Sequence, residues 1–169
     1  MNDFVIEAVS AQPVLEVAGR VSAMKIPKLL GDAFPGIKDH VDQCGGTLAG
    51  PPFARYLDLD WESIRNDGPL AQLWQLFTAK FSVRAGFATA APVPAGAGME
   101  AGEFAPGRCV RGTHFGAYHK VGETYKRMAR WAEENGVTLA NESFERYVND
   151  PTEVPKDQIE THVFVPLRE

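Results

Sequence analysis

Glu145 and Tyr147 are the residues whose types and spacing point most directly to chemistry. They lie in the stretch SFERYV, which reads as a β-strand. Alternation along a strand sends Glu145 and Tyr147 to one face and Phe144 and Arg146 to the other. A carboxylate set among aromatic rings attracts cations, and the ring faces add about 0.5–2 kcal/mol of cation–π attraction. Partial burial raises a Glu pKa, which also suits it to general acid–base work. The alternative is a solvated Glu on an outward strand face, paired with Arg146 or with Arg55 of a neighbouring strand.

A second copy of the same stretch sharpens the choice. GGTLAGPPFARY at 45–56 aligns without a gap on GVTLANESFERY at 136–147, an offset of 91 residues. Gly45/Gly136, Thr47/Thr138, Leu48/Leu139, Ala49/Ala140, Phe53/Phe144, Arg55/Arg146 and Tyr56/Tyr147 match. Two copies are too few for a solenoid and indicate a duplicated unit. The duplication gives Tyr147 a partner in Tyr56, whereas Glu145 aligns with Ala54. One carboxylate therefore breaks the symmetry between two tyrosines.

Other chemistry has weaker support. His114 and His119 are five apart with no third ligand nearby, so no metal is expected. The chain lacks GxSxG, GxxxxGK[ST] and a strand–GxGxxG–helix unit, which removes the common hydrolase elbow and phosphate cradles. No cofactor is expected. Trp61, Trp74, Trp131 and Phe87 read first as core.

The elements that position these residues follow from periodicity. Phe4–Val9, Pro13–Val21, Phe53–Leu59 and Phe77–Ala88 read as strands in the first half; Val110–Thr113, Phe144–Val148 and Thr161–Leu167 do so in the second. A helix is predicted over 120–134, with Val121, Thr124, Tyr125, Met128, Trp131 and Ala132 on one face. Another falls within 26–43, where Pro35 is expected to break it or restart it. Cys44-Gly45-Gly46 and Asn135-Gly136 stop the two helices. Trp61–Leu76 has no counterpart in the second half and reads as an insertion with a short helix over 69–76. The Gly- and Pro-rich stretch 88–107 excludes a helix or central strand but permits a ragged edge strand.

Each half is thus strand–helix–strand–strand, with one further strand available from its leading segment. The expected fold is α+β: one antiparallel sheet of roughly eight strands, two main helices on one face, and a central groove between them. Residues 1–169 form a single domain of two halves, about 1–90 and 105–169, joined by a connector at about 91–107. A groove at the junction of repeated halves is a common ligand site.

The composition agrees with that reading. A net charge of −5 argues against a phosphate-binding surface and hence against direct nucleic-acid binding. No apolar run is long enough to span a membrane, and the N-terminus, with Asp3 and Glu7, does not read as a signal peptide. Cys44 and Cys109 read as free thiols in a reduced compartment, so the expected location is cytoplasmic.

HFGAYHKV at 114–121, the helix to Trp131, NGVTLANESFERYVNDP at 135–151, IETHVFVPL at 159–167 and FARY at 53–56 together resemble the GyrI-like small-molecule-binding domain. That family includes effector-binding domains of AraC- and MerR-type multidrug regulators. The resemblance implies a duplicated α+β fold that binds hydrophobic, often cationic, aromatic compounds. Glu145 falls on the family's groove glutamate, Tyr147 and Asp150-Pro151 complete that motif, and Tyr56 falls on the aromatic of the first repeat. The chain departs from the family's Gly-Pro-Tyr-Glu at Gly116-Ala117-Tyr118-His119.

The expected function is a stand-alone binder that sequesters or senses such compounds. Tyr118 and Trp131 join Glu145, Tyr147 and Tyr56 as candidate ligand contacts. Two alternatives come from the resemblance: hydrolysis of cyclopropane-containing genotoxins by Glu145 and Tyr147, and inhibition of gyrase by direct contact. A protein partner would accordingly be gyrase or a separate regulator.

Overall fold

A computed structural model describes residues 3–66, 68 and 79–169. The strands are β1 (Phe4–Val9), β2 (Gln12–Ser22), β3 (Phe53–Tyr56), β4 (Lys80–Ala88), β5 (Glu100–Phe104), β6 (Gly107–Phe115), β7 (Ser143–Tyr147) and β8 (Glu160–Pro166). Among the described residues the α-helices are α1 (Ile26–Gln43), α2 (Trp61–Asn66) and α3 (Val121–Glu134). The strands form one antiparallel sheet in the order β1-β6-β8-β7-β3-β4-β2-β5. This is the α+β architecture expected, with α1 and α3 as the main helices.

The repeat is visible in the register. β3 and β7 meet at the centre with Ala54 opposite Glu145, so a pseudo-twofold axis passes through that pair. Equivalent bonds close the two helix ends: Cys44 N–H to His40 O and Asn135 N–H to Trp131 O, both at 3.0 Å. Gly45 (φ 71°) and Gly136 (φ 64°) adopt the left-handed conformation that each stop requires.

The leading strands do not stay with their own halves. β1 pairs with β6, and β5 pairs with β2, so each runs along the outer edge of the opposite half. The 88–107 stretch thereby contributes an edge strand, where its glycines and prolines are tolerated.

α3 buries Tyr125, Met128, Ala129 and Ala132 against Val110, Val163 and Val165. α1 buries Ile37 and Val41 against Leu15 and Phe87. Among the described residues the opposite face carries no main helix, and the sheet curls to cover it with its own side chains. Phe104 of edge strand β5 stacks on Phe53 at 5.8 Å and meets Phe144 edge-on at 5.0 Å, and Phe144 stacks on Phe164 at 4.5 Å.

Three expectations need correction. α1 is continuous through Pro35. Pro35 and Gly31, whose carbonyl loses its i+4 partner, both lie on the exposed side, so water can take the missing hydrogen bond. β3 ends at Tyr56 rather than Leu59, because Asp60 starts α2: its Oδ1 accepts the backbone N–H groups of Glu62 and Ser63 at 3.1 and 3.3 Å. β6 runs from Gly107 to Phe115, well beyond Val110–Thr113, because its ends pair with β1 and β8. The short helix expected over 69–76 lies outside the described residues, as do Phe77 and Thr78.

No helix among the described residues is long and apolar enough to cross a membrane. Cys44 is exposed and Cys109 buried, and both are free.

Candidate functional site

Strand alternation in β7 delivers Ser143, Glu145 and Tyr147 to the helix-bearing face. Glu145 is only 6% exposed, which excludes the solvated, outward alternative. Neither arginine expected to pair with it does so: Arg55 binds Glu16, and Arg146 lies on the other face over Phe144 and Phe164.

The carboxylate is instead surrounded by hydroxyl groups. Tyr125 donates to Oε1 at 2.8 Å, and Tyr147 donates to Oε2 at 2.9 Å. Each hydroxyl has only one proton, so the directions further out are fixed. Ser143 donates to the Tyr125 oxygen at 2.8 Å, and Tyr56 donates to the Tyr147 oxygen at 2.9 Å. Two chains of donors therefore converge on one carboxylate, Tyr56→Tyr147→Glu145 and Ser143→Tyr125→Glu145. Hydrogen bonds in series polarise one another, and both chains favour negative charge on Glu145.

Burial acts in the other direction. It raises the Glu145 pKa above its ordinary value, while the bonds from Tyr125 and Tyr147 pull it down. Burial, then the charge of Glu145, also pushes the Tyr56, Tyr125 and Tyr147 hydroxyls well above the usual phenol value. The tyrosines stay protonated and serve as donors. No Lys, Arg or His among the described residues forms an ion pair with Glu145. The arrangement is a buried carboxyl group that two tyrosines hydrogen-bond and no described cationic side chain pairs with.

Two further aromatics pack on Tyr147. Tyr118 meets the Tyr147 ring edge-on at 5.4 Å, and Phe34 of α1 approaches the same ring at 6.0 Å. Tyr118 is 38% exposed and sits on the short turn Tyr118–Lys120 before α3. His114 anchors that turn, with Nδ1 and Nε2 each 3.1 Å from Thr124 Oγ1 and the Ala117 carbonyl. A carbonyl only accepts, so Nε2 donates and Nδ1 accepts from Thr124. Thr161, opposite both Tyr147 and His114 in the sheet, is fully buried, and its hydroxyl has no hydrogen-bond partner among the described residues.

The structure thus brings Glu145, Tyr147, Tyr56 and Tyr118 together. Trp131 stands apart, its ring packed on Phe4 of β1 at 6.0 Å. Tyr125 and Ser143 are the residues that sequence reasoning missed. The helical period marks Tyr125 only as a core position; a buried tyrosine hydroxyl needs a partner, and that requirement is the available signal. Among the described residues no group of three or more His, Cys, Asp or Glu side chains could hold a metal ion.

By sequence, this duplicated α+β sheet is that of a small-molecule-binding domain: residues 54–168 match the GyrI-like small molecule binding domain, and the protein is a member of that family. No curated protein matches the chain. Among solved structures, the EcmrR C-terminal domain aligns with 98% of this chain and 97% of its own, at TM-score 0.74 and 18% identity. In the EcmrR–DNA complex the alignment spans only 57% of the EcmrR chain. A hydrolase encoded by lin2189 from Listeria innocua aligns with 98% of this chain and 92% of its own (TM-score 0.64, 13% identity). SAV2435, solved with tetraphenylphosphonium, does so over 98% and 93% (TM-score 0.57, 7% identity). At these identities the likeness concerns the fold.

Proposed function

We propose that this protein binds lipophilic aromatic cations at Glu145, with Tyr147, Tyr56 and Tyr125 as the surrounding donors and Tyr118 as a movable cover. The observation that carries the reading is the un-neutralised carboxylate, 6% exposed and hydrogen-bonded by two tyrosines. A cation compensates buried negative charge, and the aromatic faces of Tyr118, Tyr147 and Phe34 suit a flat, apolar body. SAV2435, which shares the fold, was solved with a compound of this class. Entry requires Tyr118 to swing aside; Gly116, at φ 124°, precedes its turn and supplies a hinge position.

The test is a thermal-shift and calorimetric titration with tetraphenylphosphonium and with neutral triphenylphosphine oxide. Saturable stabilisation by the cation and none by the neutral compound is expected. Equal responses to the two would remove the charge-based reading.

A second reading has a specific observation in its favour. The raised pKa of Glu145 suits it to take a proton from water attacking a bound electrophile, with Tyr147 as hydrogen-bond partner. Product formation from a cyclopropane-bearing alkylator, abolished in Glu145→Gln, would establish it. Binding without turnover would dismiss it for that compound.

A further inference from the structure

The face of the sheet opposite α1 and α3 breaks the duplication in a second place. In the first half, Arg55 reaches Glu16, with Nη1 3.0 and 3.1 Å from the two carboxylate oxygens. It does so across Gly86, where an added Cβ would stand 3.0 Å from Glu16 Cγ and 2.3 Å from the Leu15 carbonyl oxygen. The row Phe53–Gly86–Glu16 across β3, β4 and β2 becomes Phe144–Phe164–Arg111 across β7, β8 and β6. Arg146, the counterpart of Arg55, therefore meets the Phe164 ring where Arg55 passes over Gly86, and an arginine where Arg55 finds a carboxylate; Arg55 rests on a ring too, Phe104 of β5 at 4.3 Å, but has its ion pair as well.

The guanidinium of Arg146 lies over Phe164 and Phe144, 4.8 and 5.5 Å from their centroids. It forms no ion pair with any described residue, and the nearby Glu7 is engaged by Arg111 at 3.0 Å. Arg146 also lines a cavity of about 120 Å³ walled by Val14, Phe53, Phe104 and Phe144, with Gln12 as a further polar side chain. Burial lowers the Arg146 pKa from the usual arginine value, although a guanidinium remains charged at neutral pH.

We propose that this cavity is a second small-molecule site, on the opposite face of the sheet from Glu145, and that it takes an organic monocarboxylate with a flat apolar body. The planar guanidinium fork matches a carboxylate, and the phenylalanine rings match the body. A multiply charged, strongly hydrated anion would give up its water for a cavity that offers a single cation, so inorganic phosphate is disfavoured. Glu145 and Arg146 are consecutive in β7, and strand alternation sends the two charges to opposite faces. One strand would then serve two ligands of opposite sign.

The test is a titration of the full chain with sodium benzoate, followed through the methyl NMR signals of Val14, Ala49 and Ala88. Saturable shifts confined to these residues are expected. Arg146→Gln should weaken binding at least tenfold, and benzyl alcohol, which has the ring without the charge, should bind at least tenfold more weakly than benzoate. Ala49 is exposed and lines the cavity, so Ala49→Leu narrows the cavity with Arg146 in place and should also reduce affinity if Arg146→Gln fails to fold. Benzoate shifts that are absent, that centre on Glu145, or that persist unchanged in the folded variants would overturn the proposal. Competition by inorganic phosphate as effective as benzoate itself would overturn the ligand class.

Discussion

Replacing Glu145 with Gln separates the ligand's requirement from the fold's. Gln keeps the contacts with one reversal: its oxygen accepts from Tyr125, and its amide donates to the Tyr147 oxygen, whose own proton then turns to the Tyr56 oxygen. What disappears is the charge. A cation centred about 6 Å from the carboxylate, at an effective dielectric constant of about 20, gains roughly 3 kcal/mol from it. Its loss weakens binding about 100-fold.

Stability is expected to move the other way. Burial holds the folded-state pKa of Glu145 above its ordinary 4.5. Between those two values the folded protein keeps a proton that the unfolded chain has released. Stability therefore falls as pH rises through that window, and the penalty is complete above the folded pKa. Glu145→Gln carries no such penalty. At pH 7 it is expected to match or exceed the parent in urea denaturation, with the difference vanishing below the ordinary carboxylate value. Calorimetry with tetraphenylphosphonium from pH 5 to pH 8 completes the assay. The parent's affinity should rise with pH, and the variant's should be low and flat. Binding within threefold of the parent, or a variant less stable than the parent at pH 7, would refute the reasoning.

Three further outcomes follow from the packing. Thr161→Val replaces a buried hydroxyl that has no partner and should stabilise the protein by about 1 kcal/mol in chemical denaturation. Tyr125→Phe removes one of two donors to the buried carboxylate; it should cost about 1–3 kcal/mol at pH 7 and shift the Glu145 titration, followed by carbon NMR, to higher pH. Gly86→Ala drives a Cβ to within 2.3 Å of the Leu15 carbonyl oxygen and should cost about 1–3 kcal/mol or more, measured by thermal unfolding.

What was legible in the sequence follows from which signals are local. Period-two alternation in SFERY sets the faces of Glu145 and Tyr147, and the 91-residue offset brings Tyr56 beside Tyr147, because equivalent strands of a duplicated sheet meet at its axis. Helical period also identified the buried side of α3, but it gives a face and not a partner. It therefore ranked Tyr125 with Met128, and it could not separate Tyr125, beside the carboxylate, from Trp131, beside Phe4. Pro35 misled because its cost depends on whether the orphaned carbonyl meets water, which is a tertiary fact. An edge strand was readable from the glycines and prolines of the 88–107 stretch, but the pairing of β5 with β2 was not, because nothing local records which half an edge strand joins.

The axis through Ala54 and Glu145 has a consequence for how such a site can exist at all. In a dimer of two identical halves, that position would hold the same residue twice, with Cα atoms roughly 4.5–5.5 Å apart across the antiparallel pair. The choice would be two buried carboxylates repelling each other, or none. Only a chain that carries both copies in one polypeptide can place a single acid on the axis and let the other copy shrink to alanine. The edge strands exchanged between the halves show how thoroughly the two copies are interleaved. Fusion in this protein therefore does more than tether two copies: it permits a single charge at a centre where symmetry would otherwise allow only an even number.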